Sequence, residues 1–547
     1  MVAIDYAGLL VSLLPLIVVF LGIVLLKKSG SIMVVVALAL TALLAWWYFH
    51  TGVGLIVGGI EMGILKSLGI AVAIVFAMFL VFLMQITGAL KRISEAVHNV
   101  AGTKEEKALF VGMGFGSFVT ALGLVTPTLF PPLLIAMGFT PLAAIAIACL
   151  GYDPLCSFAL LSLPITLPAK TVAGMNIPIT EHSFAMNISI FLPVISVLFA
   201  FAILWVVGGF GAVKRSWLPA LLSGLVISIS ALCLVYTNIV PLQIVGVVAG
   251  GLSMIVLYGY SVLQNSLSKE KKPATSKEVA TDGGVTTAAA TVPKISLLRA
   301  LSPWIILILL VAIVNLPQIV QTLKDAPNGF EVIKIYKNQP VDLDILNQAY
   351  TWILISSIVG IFTLGASKAQ VLKALDMTIR RFLGPFLAYS LFFSIAYIMF
   401  YSGGSVVDGN FVPATLATAN MDAIIGVALA GIFGAYYGLV APIPGFIGSV
   451  IGGSETSSNV MFAKIQNVAL TNTIGADKFP LAFGSLAVAG GIASAITPSK
   501  VNNACATLGE GGKMESEVMK VNAGVAILLT VVTCIMTLLF LKIGIGF

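Results

Sequence analysis

Apolar runs close to twenty residues long recur along the whole chain, and they leave few folds open. The uninterrupted ones are Tyr6–Leu26, Ser31–Phe49, Leu68–Leu90, Asn187–Gly209, Trp217–Tyr236, Val240–Leu263, Leu301–Leu323, Tyr350–Leu364, Pro385–Tyr401 and Val521–Ile543. Two further stretches, Pro141–Leu167 and Pro480–Ala504, are as apolar but carry internal prolines. A helical bilayer crossing needs ~20 apolar residues, whereas a transmembrane β-strand shows only ~10 alternating ones. The pattern predicts an all-α polytopic membrane protein of about twelve transmembrane helices, two of them interrupted. Composition excludes the alternatives. Of 547 residues, 59% are apolar and 9% charged, too few charges to cover a water-facing surface. A soluble multidomain enzyme, a disordered scaffold and a secreted disulfide module are ruled out.

The net charge of +7 resides in loops, so it speaks to topology and not to nucleic acid. Lys27-Lys28, Lys91–Lys107, Lys214-Arg215, the 264–300 segment and Lys368–Arg381 are the cation-rich connections. Placing them all in the cytoplasm puts both termini outside. The N-terminal run has no cationic start and no small-residue cleavage site, so it reads as a retained first span. Segment 264–300 is low-complexity and poor in apolar bulk, the composition of a flexible cytoplasmic linker. All six tryptophans fall near expected span ends, as an aromatic belt requires. The five cysteines lie in apolar segments without CxxC or Cys/His spacing, so they read as packing residues rather than disulfides or metal ligands.

In this frame, segments 108–139 and 424–470 are too broken for single spans and must enter and leave on one side, as re-entrant hairpins. The chain then divides into 1–209, two joining spans in 210–263, the linker, and 301–547. In the first half two spans, a short segment (Val53–Lys66), a span, a hairpin, an interrupted span and a final span follow in order. The second half repeats that order with the amphipathic Lys368–Leu383 as its short segment, but starts from the other side. Phe139-Thr-Pro141-Leu-Ala143 and Lys478-Phe-Pro480-Leu-Ala482 echo each other after the two hairpins. Inverted repeats with discontinuous helices are the signature of secondary transporters.

The most informative stretch runs from Gly452 to Asn459, where Ser454, Glu455, Thr456, Ser457, Ser458 and Asn459 stand in a row within an apolar half. At a helix break such side chains satisfy freed backbone groups and donate to a carboxylate, and a helix starting there points its positive end at an anion. The alternative is a hydrophilic loop outside the membrane. Asp153, followed by the helix-breaking Pro154, is the intramembrane acid of the first half. It reads as a proton carrier or cation ligand, or as a structural partner of Lys170 or Lys500. Glu455 reads as an ion-coupling acid, or as a residue stabilised by a helix N-terminus. The glycines from Gly112 to Gly116 follow no strand, and Gly512-Lys513 lacks the following Ser or Thr, so neither is a nucleotide site. No nucleophile–base or metal constellation appears, so neither enzymatic activity nor a cofactor is expected. An internal repeat also argues against a passive channel, which favours symmetric oligomers with filter rings.

Gly453–Phe462, GSETSSNVMF, closely resembles the GSDTSSNALF motif of the L-lactate permease family. Ile496–Ala506 resembles that family's ISPQSIAIACA, and Tyr401-Ser402-Gly403 its NYSG. Phe115-Gly116-Ser117-Phe118 and Gly138-Phe139-Thr140-Pro141-Leu142 resemble FGAF and GFKPL, in order. The resemblance implies a plasma-membrane, multi-pass carrier of lactate or glycolate with H⁺, working by an elevator-like motion of paired hairpins. Its partners would be a small organic anion, H⁺ or alternatively Na⁺, and membrane lipid, and a homodimer is compatible with it. The chain departs from the family at Val119–Thr128, which lacks the family's glutamate, at Gly151-Tyr152-Asp153-Pro154, and at Lys500, Asn502 and Asn503. The substrate-binding residues expected are Ser454, Thr456, Ser457, Ser458 and Asn459, with Thr497, Ser499 and Lys500, and Ser117, Thr120 and Thr126 from the first hairpin. Asp153 and Glu455 are the expected ion-coupling residues. Lys500, just after Pro498, is expected to pair with the substrate carboxylate, the alternatives being an ion pair with Asp153 or Glu455, or a side chain reaching the headgroups.

Overall fold

In lipid every backbone N–H and C=O must be satisfied within the protein, which only helices and closed barrels achieve. The computed structural model describes residues 4–24, 26, 28, 30–98, 102–124, 126–151, 153–267, 295–325, 333–341, 345–509 and 512–547. The expected linker lies outside the described residues from 268 to 294. About 81% of the described residues are helical, and no barrel forms among them. Among the described residues the only strands form two hairpins, Ile333–Tyr336 with Gln339–Val341 and Ser405–Val407 with Asn410–Val412. The hairpins meet where the Lys337 amide donates to the Gly409 carbonyl. Nine of the described helices are long and apolar enough to cross a membrane, and shorter apolar helices such as Pro141–Leu150 and Ile443–Gly452 accompany them. The protein is a multi-pass membrane protein.

Several element boundaries differ from expectation. Val53–Lys66 and Leu68–Leu90 form one helix, Val53–Ile86, whose 34 residues extend about 50 Å. Lys66 does not break it, because its ammonium finds the Pro340 carbonyl at 3.2 Å. The run Leu301–Leu323 splits into Leu297–Val314 and Pro317–Asp325, since Pro317 lacks the N–H needed to continue. Asn187–Gly209 divides into Glu181–Ser189 and Leu192–Arg215, the latter kinked at Gly208 and Gly209. Segment 424–470 holds three helices, Met421–Phe433, Ile443–Gly452 and Glu455–Thr471. Trp304 is no belt residue: it lies mid-helix and is 1% exposed.

Small residues bring Val53–Ile86 and Leu383–Tyr401 into close contact. A Cβ added at Gly63 would lie 2.3 Å from the Ser394 Cα, and Ser67 hydrogen-bonds Ser390 at 3.0 Å. Such close approach is how apolar helices associate when burial in lipid gives no hydrophobic drive.

Both proline-containing stretches are interrupted. In the first, Thr140 caps Pro141–Leu150, the chain at 151 and 153–162 runs through turns and the short 3₁₀ helix Cys156–Phe158, and Leu163–Ala173 follows. Cys156, Leu160, Leu161 and Ser162 all have φ between 45° and 57°, a left-handed conformation that costs roughly 1–3 kcal/mol per residue. Tertiary bonds hold it: the Leu160 and Leu161 amides donate to the Thr120 and Ala121 carbonyls, and the Ser162 hydroxyl to the Leu242 carbonyl. In the second, Phe479–Ala493 passes through a short 3₁₀ turn to extended Thr497, and Pro498–Ala506 starts anew.

Candidate functional site

Gly452-Gly453-Ser454 makes the polar run a helical hairpin. Gly453 takes φ +68°, which suits glycine, and the Ser454 hydroxyl accepts from the Ser457 amide at 3.2 Å, opening Glu455–Thr471. Glu455 in the first turn is favoured by the helix dipole. The entering arm Ile443–Gly452 has ten residues, about 15 Å, which is too short to cross a bilayer. The Ser458 hydroxyl donates to the Gly445 carbonyl at 3.1 Å, stapling the arms together. Every residue from Ser454 to Asn459 is buried, so the run is no water-facing loop.

The hairpin tip meets both helix interruptions. The Ser157 hydroxyl donates to the Glu455 carboxylate, and the Asn459 amide to the Pro164 carbonyl at 3.2 Å. On the other side, a Cβ at Gly453 would lie 3.6 Å from the Ser499 hydroxyl and 3.7 Å from the Thr497 methyl. Glu455 packs on Gly490, just before the second interruption. Lys500 donates to the Ser494 hydroxyl at 2.6 Å, and its charge interacts with those of Asp153 and Glu455. Asp153 is 1% exposed. Lys170 pairs instead with Glu181 at 3.4 Å, which removes it as a partner of Asp153. Lys500 therefore joins an internal charge group rather than reaching for the headgroups.

Segment 108–139 joins through its backbone. Gly116–Ala121 ends where its carbonyls cap the left-handed leucines, and Gly116 packs on the Gly151 carbonyl. Ser117 and Thr120 are buried beside this junction. Thr126 opens helix Thr126–Ala136, and its side chain lies outside the described residues. Among the helix pairs that join the two halves, Thr126–Ala136 packs on Pro498–Ala506, and Glu455–Thr471 packs on Leu163–Ala173. The geometry also recruits Ser157, Ser494 and Tyr389, whose phenol sits against Ser454. Sequence reasoning missed all three, because a lone serine or tyrosine within an apolar run carries no pattern.

Among the described residues, buried polar atoms without a hydrogen-bond partner include Asp153 Oδ2, Ser117 Oγ, Thr120 Oγ1, Ser457 Oγ and Asn459 Oδ1. A buried orphan costs about 1–3 kcal/mol, so each asks for a partner such as a ligand atom or water. The helices that start at Glu455 and Pro498 bring their partly positive N-terminal ends to this region. One ammonium and two carboxylates complete the group.

The chain matches the family described as L-lactate permease over residues 8–544. It is 25% identical to the glycolate permease GlcA of Escherichia coli K12, covering 97% of this chain and 95% of that protein. It is 23% identical to an L-lactate permease of Halalkalibacterium halodurans, with 97% of each covered. Against the L-lactate permease of Bacillus subtilis 168 the identity is 24%, over 85% of this chain and 84% of that one.

Proposed function

The chain belongs to the L-lactate permease family, and on that premise we propose that it is a secondary active transporter of small monocarboxylates of the lactate or glycolate type, coupled to H⁺. The observation that carries this reading is the buried group of Lys500, Asp153 and Glu455, with orphan polar atoms on Asp153 and on Ser457 and Asn459 of the helix that Glu455 opens. Ser457, Asn459 and Lys500 would donate to the carboxylate, and Ser117 and Thr120 would line the same region from the first hairpin. Thr456, Ser458, Thr497 and Ser499 would shape it.

Charge arithmetic supports cation coupling. Lys500 with Asp153 and Glu455 is formally −1, and a bound monocarboxylate makes the buried group −2. Uncompensated buried charge is strongly unfavourable, so loading a cation onto Asp153 or Glu455 would accompany substrate binding. Na⁺ is the second reading, favoured by the position of Asp153 in the non-α-helical 153–162 backbone, whose carbonyls suit a metal cation.

For architecture the reading is twelve spans with two re-entrant hairpins in inverted repeats, the linker cytoplasmic and both termini outside. The crossed packing of each hairpin's returning helix on the half-helix of the other repeat supports it, since transporters of this design bind substrate at the repeat interface. An elevator-like movement of the hairpins and interrupted helices against the Val53–Ile86 and Leu383–Tyr401 pair would alternate access.

Counterflow in proteoliposomes, with a panel of labelled short acids at varied pH and Na⁺, tests this. Lactate or glycolate should exchange, and accumulation should follow an inward proton gradient. Accumulation that follows Na⁺ and ignores pH would replace the coupling ion, and exclusion of every monocarboxylate would refute the substrate class.

A further inference from the structure

A cleft with a mixed lining opens beside the loop that follows the second β-hairpin. It encloses about 310 Å³ between the 413–420 loop and two helices of the second half, and Thr415, Asn420, Val427, Lys464, Val468 and Asn472 are among its lining. This is the lower end of the ~300–1,000 Å³ typical of small-molecule sites, a size for a compact ligand. Lys464 belongs to Glu455–Thr471, the helix whose first turn forms the central group. Nine residues separate it from Glu455, about 13 Å along the axis.

The ammonium of Lys464 is held in place by protein. It donates to the Phe400 carbonyl at 3.3 Å and lies 4.4 Å from the centre of the Phe400 ring. Its charge partner is Asp422, 2% exposed, whose Oδ1 has no hydrogen-bond partner. The wall beside it is rigid. The Asn420 amide nitrogen lies 3.0–3.1 Å from the Met399, Phe400 and Ser402 carbonyls, two of which its hydrogens can serve, and its Oδ1 accepts from the Ala423 amide, so it fixes the start of Met421–Phe433. A cation sealed against Asp422 alone would need no opening, yet Lys464 borders a cleft whose lining combines Thr415, Asn420 and Asn472 with Val427 and Val468.

Resting on the carboxylate-transport reading, we propose that this cleft is a receiving site for small carboxylates, with Lys464 as the counter-charge, one helix length away from the central group. The ammonium holds the carboxylate, Asn472 and Thr415 suit a hydroxyl, and the valines suit a short alkyl group. A cation at the mouth of a cleft also raises the local anion concentration and the rate of entry, an effect that salt screens.

Initial rates of [¹⁴C]L-lactate and [¹⁴C]glycolate uptake into proteoliposomes test the assignment. Lys464→Gln should raise KM roughly tenfold, the effect of one charge-assisted contact, with the maximal rate retained and the salt dependence of KM flattened. Lys464→Arg should keep KM near that of the unaltered protein. Because Lys464→Gln leaves Asp422 buried without its counter-charge, the decisive variant is Asp422→Asn/Lys464→Gln, where the pair is neutral. KM stays high in that variant if the ammonium binds ligand. Recovery of KM in the double variant, or a KM within twofold in Lys464→Gln, would overturn the site and leave the transport reading intact. Failure of the unaltered protein to take up either acid would sink the transport reading, and this inference with it.

Discussion

Ser157 and Glu455, 298 positions apart in sequence, are hydrogen-bonded through hydroxyl and carboxylate. The bond links the unwound segment of one half to the hairpin tip of the other. Any movement of the hairpin must break it or carry both partners along.

Ion coupling should therefore be sensitive to Glu455 and Asp153. Glu455→Gln or Asp153→Asn cannot exchange a proton at that site, so uphill accumulation driven by a pH gradient should be lost while lactate exchange persists. Counterflow compared with gradient-driven uptake checks this. Normal accumulation by both variants would exclude both acids as the coupling groups.

Lys500→Gln should weaken substrate binding at least tenfold, since it removes the one ammonium in the group and leaves two buried acids facing each other. The measurement is equilibrium binding of labelled lactate to purified protein, with folding followed by thermal unfolding. Unchanged affinity would reduce Lys500 to a counter-ion.

At the charged entrance to the first hairpin, Arg215 bonds Glu105 at 2.6 Å. Burial raises the Glu105 carboxyl, but the hydrogen bond and charge of Arg215 outweigh it and hold the group below its ordinary value. A depressed carboxylate contributes stability above its unfolded pKa and loses it as pH falls through the folded one. Arg215→Gln should therefore lower stability at neutral pH by at most about 1 kcal/mol, because Arg215 is mostly exposed. The difference should vanish below pH ~4. Thermal unfolding of both proteins across pH checks the sign, and a penalty that grows in acid would contradict the assignment.

A cysteine placed in the 264–300 linker should resist a membrane-impermeant maleimide in intact cells and react after permeabilisation. The lysines and arginines of the connecting segments motivate this orientation. Efficient labelling of intact cells would invert the topology without touching the site.

Hydropathy alone determined that this chain is helical and membrane-embedded, because a lipid surround leaves the backbone no other partner than itself. It also located both interruptions, since Pro154 and Pro498 each deny an amide to the helix ladder. The Ser454–Asn459 run was legible for a similar reason: six adjacent polar side chains cannot face lipid. Tertiary structure decided what those residues do together. That Glu455 meets Ser157, that Asn459 meets the Pro164 carbonyl, and that Lys500 sits with Asp153 rather than at the headgroups depend on contacts spanning hundreds of positions. Helix boundaries at Val53–Ile86 and the burial of Trp304 were likewise settled by neighbours. The physical reason is that hydropathy records transfer from water, a property of each residue alone. Which polar atoms find partners, and which remain orphaned beside a charge, depends on what packing places within three ångströms.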